Sequence, residues 1–200
     1  MFALVDKSDN SITKMFSGNK GVNIEDNRDS AQIFSIWTEA ERNAINIYEI
    51  EMDTSKRKDE EWYINTSITY SFDGSKAKGS YGDAAAIPHA DKLYTKEDED
   101  NGLGTEGEVK EKGKKSILID KVKKEAANEL NKTDWYVIRK TEEETAIPSA
   151  VTTHRKAVRS KQAEMETAIS NASDIPALET LYTRNNEGVR PLGDIPQKDF

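Results

Sequence analysis

Gly102-Leu103-Gly104-Thr105-Glu106-Gly107 has the glycine spacing with which dinucleotide-binding turns let backbone amides approach a pyrophosphate at a helix N-terminus. Such a turn needs a hydrophobic strand in front of it. Here the acidic run Glu97-Asp98-Glu99-Asp100 precedes it and would repel phosphate, so a flexible linker is the better reading. The same stretch approaches a calcium loop, with Glu97, Glu99 and Asn101 as oxygen ligands, Gly102 at the sharp turn and Glu108 at the bidentate position. The first ligands of such loops are normally the shorter Asp, and Gly104 stands where an apolar anchor is usual, so a solvated acidic hinge is expected instead.

His89 and His154 are the only imidazoles, and neither has a second His or a carboxylate at a ligand interval. His154 falls on the apolar side of a helical stretch beside Arg155, where a packed histidine is expected. Glu142-Glu143-Glu144 are adjacent carboxylates, which rarely converge on one substrate bond, and they read as a solvated face. The lysines at 110–124 and Arg155, Lys156, Arg159 and Lys161 have the charge to hold phosphates. Both stretches lack the aromatic residues on which single-stranded bases stack, and the acids at 97–100 can neutralise the lysines within the chain. No catalytic, cofactor-binding or metal residue is assigned, and no cofactor is expected.

The whole chain narrows the classes further. With 29 basic and 37 acidic residues its net charge is −8, against a broad nucleic-acid or acidic-membrane footprint. There is no cysteine, which rules out disulfides, thiolate metal sites and cysteine nucleophiles. Met1-Phe2-Ala3-Leu4-Val5-Asp6 has no basic region before its apolar run, and no window approaches the roughly 20 apolar residues of a membrane span, so a soluble protein without a signal peptide is expected.

These residues must be carried by elements that the periodicity outlines. Phe2, Leu4 and Val5, the polar turn Ser8-Asp9-Asn10, and Ile12, Met15 and Phe16 predict a β-hairpin over 2–16. Residues 17–31 are rich in Gly, Asn and Asp. Thr38-Glu39-Ala40-Glu41 has the form of a capping box and predicts a short helix near 39–45 packed through Ala44 and Ile45, before an extended segment at Ile47, Tyr48 and Ile50. Trp62, Ile64, Thr66, Ile68, Tyr70 and Phe72 share one parity, which predicts a continuous half-buried strand. Asp73-Gly74 then predicts a tight turn and an edge strand over 75–82.

Beyond this sheet domain, 1–94, the acid- and glycine-rich stretch 95–113 predicts a linker. A helical module follows at 114–182. Leu118, Val122, Ala126 and Leu130 recur at intervals of four on a helix over 117–130, and Trp135-Tyr136-Val137-Ile138 reads as a short strand at 134–139. After Ile147-Pro148-Ser149 a helix of about six turns carries Val151, His154, Val158, Met165, Ala168 and Ile169 on one face. Asp174-Ile175-Pro176 starts a third helix with Leu178 and Leu181, and 183–200 predicts a flexible tail. The fold class is α+β: an N-terminal small antiparallel β-sheet domain with one short helix, a Gly-rich acidic hinge and a mostly helical C-terminal arm.

The stretch Thr133-Asp134-Trp135-Tyr136-Val137-Ile138-Arg139, then Glu142, Ile147-Pro148 and a helix bearing Arg155, Val158-Arg159 and Ile169, resembles a module at the C-terminus of tail-fibre assembly (chaperone-like) and other small tail-region proteins of tailed phages, particularly marine and cyanobacterial ones. Phe2-Ala3-Leu4-Val5 and Trp37-Thr38-Glu39-Ala40-Glu41 to Ile47-Tyr48-Glu49 are similar to the opening of those proteins, so the likeness covers about three quarters of the chain. It implies a non-catalytic role in tail-fibre assembly, acting in the host cytoplasm on a tail-fibre or baseplate protein. The alternative it leaves open is a permanent baseplate or fibre-attachment subunit in the virion tail. Homo-oligomerisation is compatible with both. Trp135 can pack on the following helix and the arginines can pair with Glu142–Glu144; alternatively Trp135, Tyr136, Arg155 and Arg159 form the partner-binding set, since Trp, Tyr and Arg carry much of the energy of protein interfaces.

Overall fold

The computed structural model describes residues 1–18, 20–24, 27–29 and 31–200. The protein is α+β and divides into two units, Met1–Ala85 and Ala86–Phe200. The division falls at 85/86, not at the expected 94/95, because residues 86–113 fold with the helices that follow them.

In the first unit, β1 (Phe2–Asp6) pairs antiparallel with β2 (Ser11–Phe16), from Phe2 opposite Phe16 to Asp6 opposite Ser11, as the hairpin pattern predicts. Within the Gly/Asn/Asp-rich stretch, β3 (Val22–Ile24) pairs with β4 (Asn27–Asp29), and α1 (Gln32–Ser35) buries Ile33 and Phe34. The capping box forms. The Thr38 amide donates to Glu41 Oε2 at 2.7 Å and the Glu41 amide to the Thr38 hydroxyl at 3.3 Å, at the start of α2 (Glu39–Ala44). The inward residue of α2 is Arg42, not Ala44: its guanidinium lies 5.2 Å from the Phe2 ring centroid and donates to the Trp37 carbonyl.

β5 (Ile47–Asp53) adds to β1, and the sheet runs β2-β1-β5-β8-β7, with β6 (Tyr63–Ile64) separate, β7 at Thr69–Phe72 and β8 at Ala77–Ser80. The sheet is mixed, not antiparallel throughout. Asp73-Gly74 makes the expected turn, with Gly74 at φ +95°, but β8 lies inside the sheet, parallel to β5 and antiparallel to β7. Small residues permit this. Ala77 is fully buried, and a Cβ on Gly79 would stand 2.7 Å from Met52 Sδ and 2.9 Å from Tyr70 Cε1, so side chains of both neighbouring strands close over β8. The edge strands β2 and β7 approach each other, and the sheet curls around Ala3, Val5, Tyr48, Ile50, Phe72 and Ala77.

The single strand expected over 62–72 is interrupted. Asn65 accepts from the Lys58 amide at 2.8 Å and donates to the Lys58 carbonyl at 2.9 Å, and the Thr66 hydroxyl accepts from the Gly82 amide at 2.7 Å. Polar side chains have taken backbone partners in place of the ladder, which leaves Ile64 exposed although Trp62 and Phe72 are buried.

In the second unit the expected linker is ordered. After β9 (Ala85–Ala86) at the boundary come β10 (Lys92–Leu93), α3 (Lys96–Asp100) and β11 (Val109–Glu111), with β10 and β11 antiparallel. Thr95 and Asp98 form a second capping box, and Lys110 Nζ meets Asp98 Oδ1 at 2.6 Å. That ammonium, with the Thr95 amide, draws the Asp98 carboxyl down to about 2. The acidic run is thus a capped helix end paired to a lysine. Asp91 accepts from the Gly113 amide at 2.6 Å and from the Ser116 hydroxyl at 2.8 Å, which fixes the start of α4 (Lys114–Asn131).

α5 spans Asp134–Glu143, α6 Ser149–Asn171 and α7 Ile175–Tyr182. α4 packs on α6, burying Leu118, Val122 and Ala126 with Val151, Val158, Met165 and Ile169; Ile175 and Leu178 of α7 complete the core. The tail is not loose. Leu192 and Ile195 are buried, worth about 1.5–3 kcal/mol each by area, Leu192 donates to the Leu181 carbonyl at 3.0 Å, and Asp194 meets Arg184 at 3.0 Å and Arg190 at 2.9 Å.

Candidate functional site

Trp135, Tyr136, His154, Arg155 and Arg159 lie where α4, α5 and α6 meet, whereas the acid- and glycine-rich stretch lies apart from them in and around α3. The strand expected at 134–139 is the first part of α5. Four successive apolar residues fit a strand or a helix equally. Here Asp134 in the first turn suits the positive end of the helix dipole, Arg139 reaches back one turn over Trp135, and the Thr141 hydroxyl donates to the Val137 carbonyl at 3.0 Å.

Arg155 anchors this helix. From α6 its Nη1 donates to the Leu130 carbonyl at 2.7 Å and to the Thr133 hydroxyl at 2.7 Å, and pairs with Asp134 Oδ1 at 2.8 Å. Arg155 and Thr133 are both buried. The expected pairing of the arginines with Glu142–Glu144 is replaced by this cluster, because Thr133 and Asp134 present their oxygens directly to α6. Arg155 therefore positions α5 and is not a freely presented contact.

One turn earlier on α4, Glu129 is 1% exposed. Its carboxylate accepts from His154 Nε2 at 2.9 Å and from the Lys198 amide at 3.0 Å, and meets Lys132 Nζ at 2.6 Å. Burial by itself favours the neutral acid, but Lys132, the Lys198 amide and His154 outweigh it and hold the carboxyl below its ordinary value. His154 is a packed histidine, as its place on the helix predicts, with the Phe200 ring 5.2 Å from its own. A carboxylate with an imidazole has the composition of an acid–base pair, yet both side chains are buried, with Lys198 and Phe200 against them. Glu129 is not marked by the steps of four that lead from Leu118 to Leu130. Eleven residues make about three helical turns, so Glu129 lies almost in line with Leu118, and that drift was the available signal.

No residue of α5 is buried. Trp135 is 49% and Ile138 56% exposed, and these two lie one turn apart on the same face. Trp135 stacks against Tyr136 with ring centroids 3.7 Å apart, and the Arg139 guanidinium lies 4.8 Å and 5.4 Å from the two rings. About half of Trp135 is covered, and its ring belongs to a surface cluster with Tyr136 and Arg139. On the opposite side of α5 a groove of about 390 Å³ is lined by Val137, Ile147, Thr152, Arg155, Lys156 and Arg159. Of the four residues expected at a partner surface, Trp135 and Tyr136 form the cluster, Arg159 lines the groove, and Arg155 lies at the junction between them.

Among the described residues there is no group of three or more His, Cys, Asp or Glu side chains placed to hold a metal ion, and no helix is long and apolar enough to cross a membrane. No protein-family model, curated protein or solved structure matches the chain.

Proposed function

We propose that the protein works by binding another protein, and that its role is to assist the assembly or attachment of a phage tail fibre in the host cytoplasm. The observation that carries the binding part is the Trp135–Ile138 ridge: large apolar side chains half-exposed on a helix that buries none of its residues. The Tyr136 stack and the Arg139 guanidinium hold Trp135 in place before any partner arrives, which lowers the ordering cost of an interface. The tail-fibre part rests on the resemblance carried by Asp134-Trp135, Ile147-Pro148 and Arg155 to Arg159.

Co-expression with the tail-fibre and baseplate proteins of the same phage, followed by size-exclusion chromatography, tests the reading. The parent chain is expected to co-elute with one of them, and Trp135→Ala with Ile138→Asp to abolish co-elution while the chain stays folded by circular dichroism, because about half of each side chain faces solvent. Co-elution that survives both substitutions, or no complex with any tail protein, overturns it. Mass spectrometry of purified virions then separates an assembly factor, which is absent or substoichiometric, from a fixed subunit present at a count set by tail symmetry.

A further inference from the structure

We propose that the groove between α5 and α6 is a second docking site, which takes a short acidic–apolar peptide segment. Its aliphatic side chains would rest on Val137 and Ile147, and its carboxylates would meet Lys156 and Arg159. The lining has these two chemical halves in one concavity of about 390 Å³, a size that holds a few side chains.

The charge is what specifies the occupant. Lys156 and Arg159 are exposed, three residues apart on one face of α6, and among the described residues neither has an ion-pair partner. This is notable in a chain of net charge −8 whose Glu142, Glu143 and Glu144 end the neighbouring helix and pair with neither cation. Arg155, by contrast, is committed to Asp134, Thr133 and the Leu130 carbonyl. Two unpaired cations at the rim of an apolar floor complement a segment with carboxylates beside aliphatic side chains. Nucleic acid fits less well, since no aromatic ring lines the groove to stack a base. The site is separate from the Trp135–Ile138 ridge, because Val137 lies about 200° around α5 from Trp135.

The test uses the full chain and a fluorescein-labelled helical peptide with two leucines one turn apart flanked by glutamates, followed by fluorescence anisotropy. Controls are the same peptide with lysine in place of each glutamate, and a single-stranded oligonucleotide. The acidic peptide is expected to bind, to weaken as salt is raised, and to lose about tenfold or more in affinity when Lys156→Glu and Arg159→Glu are combined. Amide shifts at Val137, Ile147 and Thr152 should mark the site, and Trp135→Ala should leave the affinity unchanged, which keeps this result independent of the tail-protein complex. Should the double charge reversal disturb folding, Val137→Ser and the salt titration of the parent chain supply the same comparison. No binding of the acidic peptide, equal affinity for the lysine peptide, preference for the oligonucleotide, or self-association of the chain that the charge reversal abolishes would each overturn the proposal.

Discussion

Arg155 Nη1 lies 2.7 Å from the Thr133 hydroxyl oxygen, in a buried contact that ties the middle of the second unit to the junction between α4 and α5. Thr133 itself donates to the Leu130 carbonyl at 3.0 Å, so one guanidinium and one hydroxyl satisfy the carbonyl at the end of α4. The same arginine holds Asp134, the first residue of α5. The Trp135–Ile138 ridge and the groove both depend on this junction for their position.

Arg155→Met should therefore cost about 2–4 kcal/mol, because it removes the buried guanidinium that donates to the Leu130 carbonyl and the Thr133 hydroxyl and that pairs with Asp134. Arg155→Lys should recover only part of that, since an ammonium lacks the planar fork. Urea unfolding followed by circular dichroism measures both. A loss below about 0.5 kcal/mol for the methionine variant would contradict the assignment of Arg155 as the anchor.

Glu129 gives the second unit a pH dependence of definite sign. Its carboxyl is held below the ordinary value of 4.5, so the folded state binds the proton less readily than the unfolded chain. The stabilisation is complete above pH about 4.5 and is lost as the pH falls through the folded value. Glu129→Gln should thus be less stable than the parent at neutral pH, and the gap should narrow as the solution is acidified below about 4.5. Thermal melts of the two proteins across that range are the measurement, and a gap that stays constant would show that Glu129 titrates alike folded and unfolded.

Gly79→Val should destabilise the first unit by about 1–3 kcal/mol through overpacking, because even a Cβ there stands 2.7 Å from Met52 Sδ and 2.9 Å from Tyr70 Cε1. Adding Met52→Ala should recover part of the loss, since it removes the nearer obstacle. Paired denaturation curves for the single and double variants decide whether strands β5, β7 and β8 share this contact.

The elements legible in the sequence were those whose signal is local. The hairpin at 2–16, the Thr38–Glu41 capping box and the stripes of α4, α6 and α7 each depend on residues a few positions apart. What escaped depends on distant partners. Asn65 and Thr66 interrupt a strand pattern by bonding to Lys58 and Gly82, and β8 takes an inner place because Met52 and Tyr70 close over Gly79. Trp135 to Ile138 read as a strand because the run is short, and the contacts that select a helix come from Arg139 and from Arg155. The tail read as loose because Leu192 and Ile195 are isolated among polar residues, yet each finds a buried place. At the candidate site the surface cluster of Trp135 and Tyr136 and the groove position of Arg159 involve residue types that the sequence marks for interfaces. The buried role of Arg155 and the presence of Glu129 carry no such mark, since both are defined by oxygens and amides far along the chain.

The amide that caps Glu129 belongs to Lys198, 69 residues further on. During synthesis the helix carrying that carboxylate leaves the ribosome long before its last donor does, so the second unit cannot close its polar centre until residue 198 is clear of the exit tunnel. The five-stranded sheet of the first unit has all of its strands by residue 80 and is under no such delay. A nascent chain paused between those points would carry a finished sheet, with the helices of the second unit still waiting for their final strap.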